Sequence, residues 1–417
     1  MKKSLFVLYV LCATFLHAQP LSNVIGLPEG FASMNGGVTG GEGGPVVTVT
    51  TEDELKAAVD GVNTATIILV KGTINVSGEL SARGNKTIVG LGTDARIEGG
   101  GFGWNTKTNV IVQNITFEDA SDDLLKINNK CMNFWIDHCT FSDGDGTYAG
   151  SHDGMLDVTR GSQYVTISYN KFFNHDKNIL IGHSDSESGD VIMKVTLHHN
   201  WFDKTIQRNP RVRYATVHCY NNYYVANSIY SVASACDANV LVENCYFKDA
   251  PIPLQVGVPE FSPAGFLVQK GCYFENCGIP QLNPKDMTGL FPYSYKLDSV
   301  KYVPCIAETY IGVAKPYRTI ENFTCDDSDL NAIQQITGSS TQLSLNNKTL
   351  SFSSKNLSPA EISIVTADGR LIDIPFRGWV DAGVENKIDL NTGNLTKGLY
   401  LIVFKTNNDK TVLKIQN

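Results

Sequence analysis

The sequence predicts an all-β protein: a parallel β-helix, or solenoid, followed by a small β-sandwich. Short β-branched runs each end in an aromatic: NVIVQNITF, NFWIDHCTF, YVTISYNKF, VTLHHNWF, ATVHCYNNYY, NVLVENCYF and FLVQKGCYF. The closing aromatics Phe117, Phe141, Phe172, Phe202, Tyr224, Phe247 and Phe274 recur every 22–31 residues, and such a period suits one coil of a stacked solenoid. Two places before the aromatic sit Cys139, Asn170, Asn200, Asn222, Cys245 and Cys272. Equivalent positions on stacked coils lie about 4.8 Å apart, so asparagine amides can form a ladder at a bend while small cysteines fill a narrow interior. A β-sandwich of aromatic-ended strands is the alternative on this pattern. The sandwich expected at 341–417 rests on alternating runs, TLSFSS, AEISIVTADGRLI, NKIDL and KGLYLIVFKTNNDKTVLKIQN, punctuated by the turn signals DG and NND.

Taken in order, the chain opens MKKSLFVLYVLCATFLHAQP, with two lysines, an apolar run from Leu5 to Leu16, and small Ala18. That run is too short to span a bilayer and reads as a secretory signal over residues 1–18, which makes the mature protein an exported one. Residues 28–49 are glycine-rich and read as an extended wrapping segment; no GxGxxG or GK[ST] supports phosphate binding. Thr51 to Glu54 matches a capping box, so a short helix is expected there before the strand TIILVKGTINV. The solenoid is expected over 19–326, a linker over 327–340 and the sandwich over 341–417. Formal charge is −8, which argues against general nucleic-acid binding. Ten cysteines become nine once Cys12 leaves with the signal, an odd number with no CxxC pair, so at least one thiol stays free and zinc is not indicated.

The chemistry concentrates between His152 and Arg213. Asp153 and Asp157 open this stretch, Lys177 lies within it, and Arg208, Arg211 and Arg213 close it. Carboxylates brought to one concave site bind a hard cation such as calcium, and Asp122-Asp123 on an earlier coil can stack beside them. Arginines supply permanently charged forks for a carboxylated sugar polymer, although an exposed salt-bridge strip is a common role for them. His138, His152, His175, His183, His198 and His199 show no metal-binding spacing and read as hydrogen-bonded turn residues; Trp135 and Trp201 read as core.

GFASMNGGVTGGEGG, WIDHCTF, HDGMLDVTRGSQYVTISYN, HDKNILIGHSDS, VTLHHNWFD and QRNPRVR followed by VHCYNNYY resemble, in order, the pectate lyases of polysaccharide lyase family 1. The resemblance runs from about Gly30 to Asp249 and more faintly to Asp326. It implies a right-handed parallel β-helix, calcium dependence, and cleavage of polygalacturonate, the demethylated backbone of pectin, by β-elimination. Carried over by motif, the calcium carboxylates fall on Asp123, Asp153 and Asp157, with Asp122 the alternative for the first. The catalytic arginine falls on Arg208 and the substrate-binding residues on Lys177 and Arg213. The calcium-independent pectin lyases form a sister group that usually lacks these carboxylates, and a non-catalytic pectin-binding adhesin would need no Arg208. The ending LTKGLYLIVFKTNNDKTVLKIQN resembles the sorting domains of the type IX secretion system. Together these imply a secreted or cell-surface monomer whose partners are pectin and the type IX secretion machinery.

Overall fold

The computed structural model describes residues 26–61, 63–142, 152–258, 261–318, 323, 325, 341–346, 349–355, 358–366, 371–380, 383–390, 399–406 and 409–416. The expected signal and the 327–340 linker lie outside the described residues. The chain divides into two compact units between Phe323 and Thr324.

The first unit is a parallel β-helix built from three ladders. One climbs from Val46–Val49 through Thr66–Asn75 and Thr108–Gln113 to Phe266–Lys270. The second leaves the far half of the long strand Lys86–Glu98 and climbs through Thr116–Glu118 and Thr140–Ser142 to Tyr273–Glu275. The third has eight strands, Glu79–Ser81, Gly101–Asn105, Leu125–Asn128, Leu156–Val158, Leu180–Ile181, Arg211–Arg213, Val232–Ala235 and Leu254–Val256. Every pairing in these ladders is parallel, which a chain achieves by coiling rather than by hairpins.

Inside, like residues lie over like. Val112, Ile136, Ile167, Leu197, Cys219 and Val242 are register partners on successive coils, all fully buried. Each such aliphatic contributes roughly 1.5–3 kcal/mol on burial, so the core grows coil by coil. The closing aromatics form one continuous stack: successive ring centroids from Phe117 to Phe274 are 5.3, 4.8, 5.0, 5.0, 4.5 and 5.0 Å apart with planes within 15°. The asparagine ladder is also present. Asn170 Nδ2 donates to Asn200 Oδ1 at 3.1 Å and Asn200 Nδ2 to Asn222 Oδ1 at 3.0 Å. The same oxygens accept the backbone N–H of Asn170 and Asn200, and Cys139 N–H donates to Asn170 Oδ1 at 2.8 Å. These buried groups have no water to turn to, so the ladder satisfies the bend internally.

The helix Glu52–Asp60 covers the first coils with Leu55 and Val59 buried. Thr51 caps it by accepting Glu54 N–H, and the Glu54 carboxylate reaches back to Thr50 N–H at 2.8 Å. The glycine-rich segment packs on the solenoid but is not extended throughout: it forms a 3-10 turn at Gly30–Ser33 and ends in the first strand, Val46–Val49. Phe31 and Ala32 are buried, and their N–H groups donate to Thr196 Oγ1 and Thr166 Oγ1. Among the described residues seven cysteines are free, while Cys305 and Cys325 are disulfide-bonded. The second unit holds two antiparallel sheets, one of Thr341–Asn346, Thr349–Ser354 and Asn386–Asp389, the other of Leu371–Val380, Ser358–Thr366, Leu399–Thr406 and Lys410–Gln416. Leu350, Phe352, Ile362, Ile364, Ile402 and Phe404 form its core.

Replacing Asn200 by Ala removes an amide whose Oδ1 accepts from Asn170 N–H and Nδ2 and whose Nδ2 donates to the Ile167 carbonyl and to Asn222 Oδ1. Each orphaned buried group costs about 1–3 kcal/mol, so Asn200→Ala is expected to lower the melting temperature by several degrees, whereas Lys56→Ala, at an exposed position of the helix Glu52–Asp60, is expected to leave it nearly unchanged. Thermal denaturation followed by circular dichroism measures both.

Candidate active site

The eight-stranded ladder carries the site because its residues alternate. Leu125 and Ile127, Leu156 and Val158, and Val212 point inward and are fully buried. With a period of two, Lys126, Asp157, Arg211 and Arg213 must therefore point out of the same face. Parallel register then brings distant residues together: Asp157 pairs with Lys126, Leu180 with Arg211, and Lys177 with Gln207.

The carboxylates gather where the chain enters the third and fourth of these strands. Asp122, Asp123 and Asp153 each place an oxygen within 4.8 Å of the others. Asp157 is not part of that trio but stands against Asp123 across Gly154, since a β-carbon on Gly154 would come within 2.6 Å of Asp157 Oδ1 and 2.7 Å of Asp123 Oδ1. A side chain at this position would have to push at least one of the two carboxylates aside. Asp123 is buried; its Oδ1 accepts Gly154 N–H at 2.7 Å and its Oδ2 lies 3.5 Å from Lys126 Nζ. Burial pushes its carboxyl up to about 6 despite Gly154 N–H and Lys126, with the charges of Asp153 and Asp122 adding to the rise. Burial and the neighbouring Asp123 likewise raise Asp157, against the Leu180 N–H that it accepts at 3.0 Å and the charge of Arg208. Asp122 differs: it is exposed, pairs with Lys126 at 2.9 Å, and is held below its usual value by that lysine.

Facing them is the cationic side. Lys177 Nζ lies 3.2 Å from Asp153 Oδ1, and His175 Nε2–H donates to the Asp153 carbonyl at 2.6 Å, fixing the loop. Arg208 sits at a left-handed turn with φ 59°; its carbonyl accepts Ile179 N–H at 2.8 Å, and its buried Nε finds no acceptor among the described residues. Arg211 is buried and donates to Ser262 Oγ at 2.6 Å. Arg213 donates through Nε to Asp185 Oδ1 at 2.5 Å. Asp122, Asp123, Asp153, Asp157 and Lys177 thus come together from three coils, the charge of Arg208 on a fourth coil acts on Asp157, and Arg213 is paired with Asp185. Sequence reading missed Lys126, Gly154, Asp185 and Ser262. Lys126 was accessible, being the one charge in the alternating run LLKIN; Ser262 carries no pattern at all.

A parallel β-helix with a nest of carboxylates beside a row of cations on one outer face is the layout of a solenoid enzyme acting on acidic polysaccharide. A family model described as "Pectate lyase" matches residues 5–315, and one described as "Secretion system C-terminal sorting domain" matches residues 342–416. The pectate trisaccharide-lyase of Bacillus licheniformis is 34% identical over 300 residues, covering 69% of this chain and 86% of the relative. Pectate lyase E of Dickeya chrysanthemi is 32% identical over 65% of this chain and 86% of its own. The crystal structure of a pectate lyase from Bacillus sp. N165 in complex with trigalacturonate superposes with a TM-score of 0.61 at 30% identity, covering 69% of this chain and 98% of that one.

The chain belongs to the pectate lyase family and is a polysaccharide lyase. Its C-terminal sorting domain marks it as secreted or displayed at the cell surface, and among the described residues no helix is long and apolar enough to cross a membrane.

The raised Asp123 fixes a pH dependence. A carboxyl whose value climbs from 3.8 to about 6 on folding favours the protonated native state, so its stabilising contribution is complete below about 4 and lost as pH rises through 6. In chelator at pH 8, Asp123→Asn is therefore expected to melt above the wild type, by at most about 3 kcal/mol of stability, and the gap is expected to close at pH 4. A melt below wild type at pH 8 would contradict this.

Proposed function

We propose that this protein is a calcium-dependent pectate lyase that cleaves polygalacturonate by β-elimination, releasing 4,5-unsaturated oligogalacturonates. The crowding of Asp123 and Asp157 about Gly154, with both carboxyls forced upward, carries the reading. Oxygen ligands held this close without full compensation suit a hard divalent cation. Asp123, Asp153 and Asp157 would hold it, with Asp122 in reach. Bound calcium supplies positive charge to the uronate carboxylate next to the proton that is removed.

The chain's own residues do the rest. The proton at C5 is weakly acidic, and its removal leaves enolate-like charge on the adjoining carboxylate. Lys177 and Arg213 meet that charge from fixed positions, which is electrostatic stabilisation aimed at the transition state. Arg208 takes the C5 proton. The base form in this step is the neutral guanidine, which has a lone pair to take the proton. The C4–O bond then breaks, the electron pair from C5 becomes the C4–C5 double bond, and the glycosidic oxygen leaves with the C4–O pair and takes a proton from water. The sorting domain would hand the enzyme to the type IX secretion machinery.

General-base removal costs about 10²–10⁴-fold in rate, so Arg208→Lys is expected to lose at least a hundredfold in turnover while melting as the wild type does. Asp153→Ala and Asp157→Ala are expected to raise the calcium concentration needed for half-maximal rate. Near-normal turnover in Arg208→Lys would sink the base assignment, and unchanged calcium titrations would sink the metal site.

A further inference from the structure

The cationic row is steadied by two residues from other segments of the chain. We propose that Asp185 and Ser262 form a clasp that positions Arg213 for the uronate carboxylate; this rests on the reading of Arg213 as a substrate-binding residue. Arg211 and Arg213 are neighbours on one face of the strand Arg211–Arg213, so two like charges stand side by side. A single bridge joins them. Arg211 donates to Ser262 Oγ at 2.6 Å, Ser262 Oγ–H donates to Asp185 Oδ1 at 2.8 Å, and the same oxygen accepts Arg213 Nε–H at 2.5 Å. One negative charge is thereby shared between two guanidinium groups.

Both ends of the bridge are themselves held. The Tyr214 hydroxyl donates to the Asp185 carbonyl. Ser262 and Val258 exchange backbone hydrogen bonds at 2.8 and 2.9 Å. Gly182, at φ 90°, lets the preceding coil approach so closely that a β-carbon there would lie 2.4 Å from the Arg213 carbonyl oxygen. Arg213 Nη1 in turn donates to the Gly182 carbonyl at 3.4 Å. With Nε and one Nη1 hydrogen engaged, the Nη2 donors of Arg213 have no acceptor among the described residues. A guanidinium fixed on one edge presents the other as a ready fork for a carboxylate. Burial works to raise the Asp185 carboxyl, but Ser262 and Arg213 outweigh it, so Asp185 stays an ionised acceptor. An arginine free to rotate would lose rotamer freedom on meeting substrate; the clasp removes that freedom beforehand.

The test is a double-mutant cycle on polygalacturonate with saturating calcium, using wild type, Asp185→Asn, Ser262→Ala, Arg213→Ala and the Asp185→Asn/Arg213→Ala double variant. Misplacing a positioned group by about 1 Å can cost on the order of a hundredfold, so Asp185→Asn is expected to lower kcat/KM by about tenfold or more. Ser262→Ala is expected to act in the same direction and less. In the Arg213→Ala background, Asp185→Asn is expected to change kcat/KM by less than about twofold, because its effect runs through Arg213. The same loss in both backgrounds would make Asp185 a structural support only and overturn the clasp. A damaging Arg213→Ala beside a neutral Asp185→Asn would overturn the clasp alone. An Arg213→Ala variant with wild-type kinetics would overturn the substrate-binding reading of Arg213 and the clasp with it.

Discussion

Parallel stacking of one coil on the next is the constraint on which this molecule depends. A residue meets its register partner across about 4.8 Å, however many residues of loop lie between them. Asp123, Gly154, Lys177 and Arg208 belong to four coils, yet Gly154 N–H donates to Asp123, and Lys177 pairs with the neighbour of Gly154. The interior enforces the register. A slip of one residue would turn Asp157 and Arg211 inward and Leu156 and Val212 outward, and would also break the Asn170–Asn200–Asn222 ladder. Core and site are therefore one specification read on two faces of the same strands.

The electrostatics follow from that placement. Asp123 and Asp157 are held together at a distance that neither favours alone, and the sequence keeps glycine at position 154 to permit it. Lys126 offsets part of the charge from the side, binding Asp122, Glu79 and Asp123 at 2.9, 3.1 and 3.5 Å. Over the next two coils the sign reverses, at Lys177 and then at Arg208, Arg211 and Arg213. A protein of net charge −8 thus handles a polyanion by sorting its charges along the solenoid axis rather than by being basic overall.

The repeat was legible because stacking demands the same chemistry at the same place on every coil. All seven closing aromatics lie in the stack, and the asparagines two places earlier form the ladder. The site was legible through alternation and through long motifs. Adjacent residues were harder to separate: Asp122 and Asp123 share every sequence signal, and only the fold shows one exposed on Lys126 and the other buried on Gly154 N–H. Asp185 and Ser262 were out of reach, because Ser262 arrives from a turn after the strand Leu254–Val256 whose path follows no period. A contact made by a loop depends on where the loop ends in space, and spacing along the chain does not encode that.

The central claim is that the carboxylates around Gly154 and the cations beside them form one calcium-dependent lyase site. The most direct measurement follows ultraviolet absorbance of the unsaturated product during incubation with polygalacturonate at alkaline pH, first with calcium and then with excess chelator. Absorbance that grows with calcium and stops with chelator is the predicted result. Growth that survives the chelator would contradict the metal site and point to pectin-lyase-like chemistry. Substrate binding with no absorbance in either condition would contradict catalysis here and leave a pectin-binding adhesin.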